Sequence, residues 1–445
     1  MRHSLALIAC SAALGVNAAP ASGFFDSITD IVRRTFYPDK GVCFSSFLDD
    51  VKKATYDKYK HTNVSDEAAF QGMREHVLLM YSGVKQTSRI SHFVLDDIYG
   101  DCIPIMEQPS VHLLKLDRLE APPVTANGTN TTTPDDSVKG APSILTLKLK
   151  DRYGNPIQCA KDTAPMQRLT LESLTRFSNL TEFFRKARDE SDSKLSKRDS
   201  AHSYARTIDT VTNFGGNSWL NLWNPNSYFS ISQHWYVVNT PHQTVEGGWT
   251  VNHEKWDGKA RLFIYWTPDD YATGCWNRDC VGFVQTNGNW YLGGPWNHYS
   301  TYNGDQWGFE MQWKLYKGNW WLFLRGPGAY EAVGYYPAKV YNNGPITKHA
   351  DYAKWGGEVA HNTDGTWGEM GSGHFPPEGF RKAAYQKTIF TIPRDEDGGY
   401  GVWAALSSLH ITKAACYDIK TTPAASGGSW GSHFFFGGPG GKDCA

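Results

Sequence analysis

Tryptophan is absent from the first 198 of the chain's 445 residues, and all 17 lie between Trp219 and Trp430. A charge excess is missing too. The formal net charge is −1, which argues against a nucleic-acid footprint. No stretch after the N-terminus reaches 18 apolar residues, so no membrane-spanning helix is expected. With 40% hydrophobic residues and a negative mean hydropathy, the chain reads as soluble and globular, excluding disorder and collagen-like or coiled-coil fibres. The one-sided tryptophan distribution indicates two unlike modules.

Other residues divide at the same place. Nine of 43 glycines precede residue 199, whereas the first 198 residues hold 50 charged side chains and the last 247 only 39. All four Asn-x-Ser/Thr sequons, at Asn63, Asn127, Asn130 and Asn179, fall in the front half, where glycans would sit on the surface. Residues 185–198 form a charged, serine-containing stretch expected to be exposed and poorly ordered. It ends in Lys197-Arg198, a pair that kexin-type processing proteases of the secretory pathway cut. The expected division is a signal peptide over 1–18, a propeptide over 19–198 and a working domain over 199–445.

Arg2 and His3, the apolar run Leu5–Val16 and the small residues after it have the form of a secretory signal, with Val16-Asn17-Ala18 fitting the cleavage site. The protein is therefore expected to be secreted, unanchored and monomeric, in a compartment where disulfides form. Seven cysteines follow the signal. Of the three ways to pair Cys275, Cys280, Cys416 and Cys444, proximity favours Cys275–Cys280 and Cys416–Cys444. Cys43, Cys102 and Cys159 are an odd set in front. His253 and His298 do not complete a zinc site around Cys-x4-Cys, so no metal or cofactor is expected.

The front half reads as α+β. A helix is predicted over 66–84, a strand over Ile144–Asp151 and a loop over Ala121–Ser143. The back half reads as all-β. Short aromatic segments bounded by Gly, Asn, Asp and Pro recur without helical period: Phe229–Val238, Thr244–Val251, Arg261–Thr267, Tyr385–Ile392, and a hairpin turning at Lys317-Gly318-Asn319 between Trp307–Leu315 and Trp320–Leu324. A single antiparallel β-sandwich of two sheets is expected.

Only eight glutamates follow residue 198, and two have mirrored settings: Glu246-Gly247-Gly248-Trp249 and Trp355-Gly356-Gly357-Glu358. Strand alternation puts Gly248 on the face of Glu246 and Gly356 on that of Glu358, faces cleared of bulk that a substrate backbone could approach. Trp249 and Trp355 should point the opposite way and brace the strands from behind. The same pattern also describes two strand bulges beside surface glutamates.

The run Glu246–Asn287, with Arg261-Leu262-Phe263-Ile264-Tyr265-Trp266-Thr267, Gly274-Cys275-Trp276-Asn277, Cys280 and Gly282-Phe283-Val284-Gln285, resembles the neprosin family of secreted glutamic peptidases. So do Gly334-Tyr335-Tyr336-Pro337, Trp355-Gly356-Gly357-Glu358-Val359 and Met370-Gly371-Ser372-Gly373-His374-Phe375. These blocks span about 230–385. The resemblance implies a β-sandwich, a removable N-terminal region, Glu246 and Glu358 as the catalytic pair, and peptide-bond hydrolysis at acid pH, with cleavage after proline as in the best-known plant members. The front half shows no stretch that aligns with the plant activation domain.

Two carboxyls facing one cleft share a proton, so one can activate water while the other protonates the leaving group. Gln233, Gln285 and Tyr302 are candidate oxyanion donors, and Gly248 and Gly356 candidate cleft residues. The expected partners are protein or peptide substrates and the kexin-type enzyme. Competing readings are a carbohydrate-binding or glycoside-hydrolysing sandwich, a serine hydrolase at Gly427-Gly428-Ser429-Trp430-Gly431, and a catalytically dead adhesion or toxin-like module.

Overall fold

The computed structural model describes residues 43–128, 139–140, 157–186 and 202–444, apart from positions 86, 89, 96, 97, 362, 363, 427 and 443. The signal peptide, Ile144–Asp151, Asn130 and Lys197-Arg198 lie outside the described residues.

In the front half, α1 (Phe44–Lys53) and α2 (Glu67–Met80) pack beside a three-stranded antiparallel sheet of β1 (Ser91–Leu95), β2 (Ile98–Pro104) and β3 (Thr163–Gln167). The Asp66 carboxylate caps α2 by accepting from Ala69 N–H at 2.8 Å. Phe70, Met73 and Val77, at helical spacing, are buried against Phe47, Leu171 and Leu174. Cys102 pairs with Cys159, and Cys43 is also disulfide-bonded. Within the predicted loop, Lys139-Gly140 forms a two-residue strand parallel to Trp307-Gly308.

The back half is a sandwich of two sheets. The seven-stranded sheet runs β9 (Cys275–Trp276), β8 (Arg261–Thr267), β7 (His242–Asn252), β6 (Phe229–Asn239), β14 (Ala350–Ala360), β4 (His202–Asn213) and β17 (Ser408–Ile411). The opposing sheet runs β10 (Val284–Gln285), β13 (Glu331–Tyr336), β12 (Asn319–Arg325), β11 (Trp307–Tyr316), β5 (Gly215–Asn221), β15 (Ala384–Thr391), β19 (His433–Gly437) and β18 (Asp418–Thr422), with β16 (Val402–Trp403) on β15. The β11–β12 hairpin closes through two residues, Lys317 (φ +50°) and Gly318 (φ +80°). Both are left-handed, the geometry whose twist suits a two-residue hairpin. Cys275–Cys280 and Cys416–Cys444 are bonded.

None of the 17 tryptophans is exposed. Thirteen are buried, and Trp219, Trp307, Trp403 and Trp430 are partly so. A sugar platform needs exposed indole faces. Nine of them instead belong to one continuous core, where Trp249 and Trp355 meet Met311, Trp313 and Phe434 between the sheets.

Candidate active site

Strand β6 runs between β7 and β14 and pairs with both. Gln233 stands opposite Gly248 on one side and Gly356 on the other, while Trp235 pairs with Glu246 and Ile231 with Glu358. Positions 231, 233 and 235 share a face, so both glutamates point to the same side of the sheet, on either side of Gln233. That side faces away from the inter-sheet core. Its floor is an aromatic cluster including Phe229, Phe263, Tyr265 and Trp276.

The flanking glycines answer to the neighbouring strands. A Cβ on Gly248 would lie 2.0 Å from the Ser232 carbonyl and 2.9 Å from Gln233 Cβ; one on Gly356, at φ +153°, would lie 2.4 Å from the Ala205 carbonyl. A side chain at Gly248 or Gly356 is excluded by the neighbouring strands, a reason for glycine that is independent of any substrate. The two glycines let adjacent strands close in around Gln233. Gly247 and Gly357 do the same on the inner face, against Trp313 and Met311 and against Phe436 and Met370.

Glu246 is completely enclosed and well supplied with donors. Its Oε1 accepts from Thr244 Oγ1 at 2.8 Å and Tyr271 Oη at 2.7 Å, and its Oε2 from Gln233 Nε2 at 3.2 Å. Glu358 meets His202 Nδ1 at 2.9 Å through Oε1. Between the two stands a residue of the front half. Lys186 Nζ bonds Glu246 Oε2, donates to Gln233 Oε1 at 3.0 Å and lies 3.8 Å from Glu358 Oε2. The ammonium and both carboxyl groups have side chains no more than 2% exposed, so a single cation is shared by two acids out of contact with water. The rings of Trp235, Phe263 and Tyr265 surround Nζ at 5.5–5.8 Å.

The backbone leading to this lysine is held as well. Trp276 Nε1 donates to the Arg185 carbonyl at 3.1 Å, and the Tyr265 oxygen accepts from the Lys186 N–H. Burial, aided by the Glu246 charge, pushes the Tyr265 phenol far above its ordinary range and keeps it neutral. Lys186 belongs to the stretch expected to be exposed and is instead buried. The reason is charge: two buried carboxylates need a cation, and the segment's other end is tied down by aromatic packing of Phe183 and Phe184.

Of the candidate oxyanion donors, Gln233 is brought to the glutamates. Gln285 lies on the opposing sheet and spends its amide on the carbonyls of Asn287 and Trp290, while Tyr302 is half exposed and bonds Glu378. Those two are withdrawn, because the fold puts them on other elements. Around Ser429 the chain forms a single 3-10 turn over Gly428–Trp430 followed by β19; Gly427 lies outside the described residues. A strand–nucleophile–helix elbow is thus absent there. Among the described residues no group of three or more His, Cys, Asp or Glu side chains is arranged to hold a metal ion. Among the sequons, Asn63 and Asn127 are exposed and Asn179 caps the helix Leu180–Phe184.

His202, Tyr271 and Lys186 were not expected at the site. They join the glutamates across 156, 25 and 60 residues respectively.

The chain is similar to several solved structures. Scytalido-glutamic peptidase with a transition state analog inhibitor is 9% identical, with 53% of this chain and 97% of that chain covered and a TM-score of 0.29. SCP-B, a member of the Eqolisin family of peptidases, in complex with a tripeptide Ala-Ile-His, is 8% identical with 54% and 97% covered and a TM-score of 0.26. A functionally unknown protein from Saccharomyces cerevisiae is 12% identical over 35% of this chain and 63% of that one, with a TM-score of 0.20. At such TM-scores the fold assignment rests on the strand pairing described above. The sequence match is more definite: the model of the neprosin family covers residues 226–439, a span holding Glu246, Glu358 and Gln233. Residues 226–439 of this chain thus carry a neprosin domain, and the paired glutamates lie within it.

Proposed function

We propose that this protein is a secreted, acid-acting endopeptidase, made as a latent precursor and cut after Lys197-Arg198. The observation that carries the reading is the enclosed Glu246–Gln233–Glu358 row with the Lys186 ammonium between its carboxylates. A site that binds one cation between two acids has, once the cation leaves, two like charges that cannot both persist, and the pair retains one proton. Glu246, with three uncharged donors on its oxygens, is the better stabilised anion and takes the base role. It removes a proton from the attacking water. Glu358 delivers one to the leaving amine, with His202 orienting it, and the Gln233 amide stabilises the oxyanion. Trp276 Nε1 and the Tyr265 hydroxyl, which now hold the backbone at Arg185 and Lys186, are placed to hold a substrate backbone in the same way. Cleavage after proline follows from family resemblance alone.

The test is casein hydrolysis from pH 2 to 8 by the secreted, processed protein carrying Glu246→Gln or Glu358→Gln. Undiminished activity in either variant removes that residue from the mechanism.

A further inference from the structure

Among the described residues the front half meets the catalytic half at several separate places, all of them at or before Lys186. The first is the cleft, where Lys186 and Arg185 sit. The second is the edge of the opposing sheet. There Gln108 Nε2 donates to the Gln285 carbonyl at 2.8 Å and Gln108 Oε1 accepts from Gln285 N–H at 2.8 Å, a reciprocal pair that extends β10 with a side chain. Beside it Val111 closes over Val284, Trp321, Phe323 and Tyr335.

The third is a strap over the outer face of β11. Gln312 accepts from Ala126 N–H at 2.8 Å and donates to its carbonyl at 3.0 Å; Lys314 Nζ donates to the Val124 carbonyl at 2.7 Å. Gln312 and Lys314 are fully buried, which two polar residues on an outer sheet face achieve only with the strap in place. The fourth joins the α+β unit to the loop after β9. His76 Nε2 donates to the Asp279 carbonyl at 2.7 Å, and Arg278 Nη2 to the Pro165 carbonyl at 2.5 Å. Lys255, paired with Asp279 at 2.8 Å, lies 3.5 Å from the centre of the Phe183 ring.

We propose that cutting after Arg198 does not free the catalytic half: residues before the cut stay docked as a non-covalent partner chain, and the cut protein stays latent because Lys186 lies on the docked side. This rests on the glutamate-pair reading. A cut at 198 breaks no contact named above. It removes only the covalent tether, and a short tether contributes an effective concentration on the order of millimolar. Separation would expose Trp321, Phe323 and Tyr335, strip the partner Ala126 from buried Gln312 and Pro165 from Arg278, and leave Lys314 with the Gly398 carbonyl alone of its two acceptors, each a loss of the kind that makes an interface hold. The cut thus governs whether the two pieces can part, and the interface governs when.

The test starts from the full secreted chain, cut near neutral pH with a kexin-type protease, or with a site-specific protease whose recognition sequence replaces residues 193–198. Denaturing gels should show two pieces, and size-exclusion at micromolar concentration and pH 7 should show one peak containing both. Cut Lys186→Gln and Lys186→Met proteins should co-elute as well, yet hydrolyse a peptide substrate at least tenfold faster than the cut wild type at the same pH. Two separate peaks for the wild type overturn docking and leave the glutamate pair untouched. Co-elution with no gain in either Lys186 variant overturns latency through this lysine. No hydrolysis by any form, including wild type after the front piece is stripped off at low pH, would instead sink the peptidase reading.

Discussion

The two faces of the seven-stranded sheet are made by the same strands and do opposite work. On the inner face, Gly247, Trp249, Trp355 and Gly357 pack against the second sheet, the two tryptophans within one apolar cluster. On the outer face, one residue along in each case, Glu246 and Glu358 are kept apart from that core, with Lys186 of the front half lying over them. Strand alternation lets adjacent residues serve stability and chemistry separately. The outer face carries unbalanced charge that the inner face could not tolerate.

The separation is broken most severely at the acids. Glu246→Gln and Glu358→Gln should lower kcat/KM for a peptide roughly 10²–10⁴-fold, the range for general acid–base groups, with unchanged thermal unfolding of the processed protein. A matching drop in melting temperature would mean that the outer face is structural after all. Conversely, Trp249→Ala and Trp355→Ala should cost about 3–5 kcal/mol of stability, as large buried aromatics do, read by denaturant unfolding. Gly248→Ala tests the boundary between the faces. Its methyl group would press on the Ser232 carbonyl, so a loss of about 1–3 kcal/mol is expected together with displaced Gln233 and lowered activity.

A fourth prediction concerns the contact between the halves. Burial holds the His76 imidazole below its ordinary value near 6.5, while the separated front piece would leave it ordinary. The docked state therefore disfavours the proton. Docking is strongest at neutral pH and weakens as pH falls below 6.5 toward the lowered value, where the penalty is complete. His76 faces the Asp279 carbonyl, with Lys255 and the Asp279 carboxylate beside it. His76→Gln keeps a donor for that carbonyl without titrating, so the pieces should co-elute to lower pH than in the wild type. The smallest effect is expected at His202. His202→Phe should lower kcat several-fold with KM little changed, and His202→Asn, which keeps a donor near the Nδ1 position, should recover part of it. Equal losses in the two variants would show that the ring matters only for its packing on Phe229.

Much of the sandwich was legible because its signals are local. Phe229–Asn239 and His242–Asn252 are within two residues of the predicted strands, and α2 begins and ends close to its apolar repeat. The glutamates stood out through their glycine neighbours, although the glycines turned out to serve strand packing. Nothing local marked Lys186. It stands at the start of a charged, serine-containing stretch, and composition averages over that whole segment. Tyr271 and His202 were hidden for a similar reason: each reaches its glutamate from a loop or strand whose position depends on the whole sheet.

The sequence by itself determined the two-part division, the all-β back half, and which acids stand on which strand face, because period-2 alternation and composition depend on near neighbours only. Tertiary structure alone decided that Gln233 lies between the acids, that Lys186 occupies their cleft, and that the front half is bound along much of the domain it precedes. Those facts depend on strand order and on charge compensation between distant segments, and buried charge selects its partner by proximity in space.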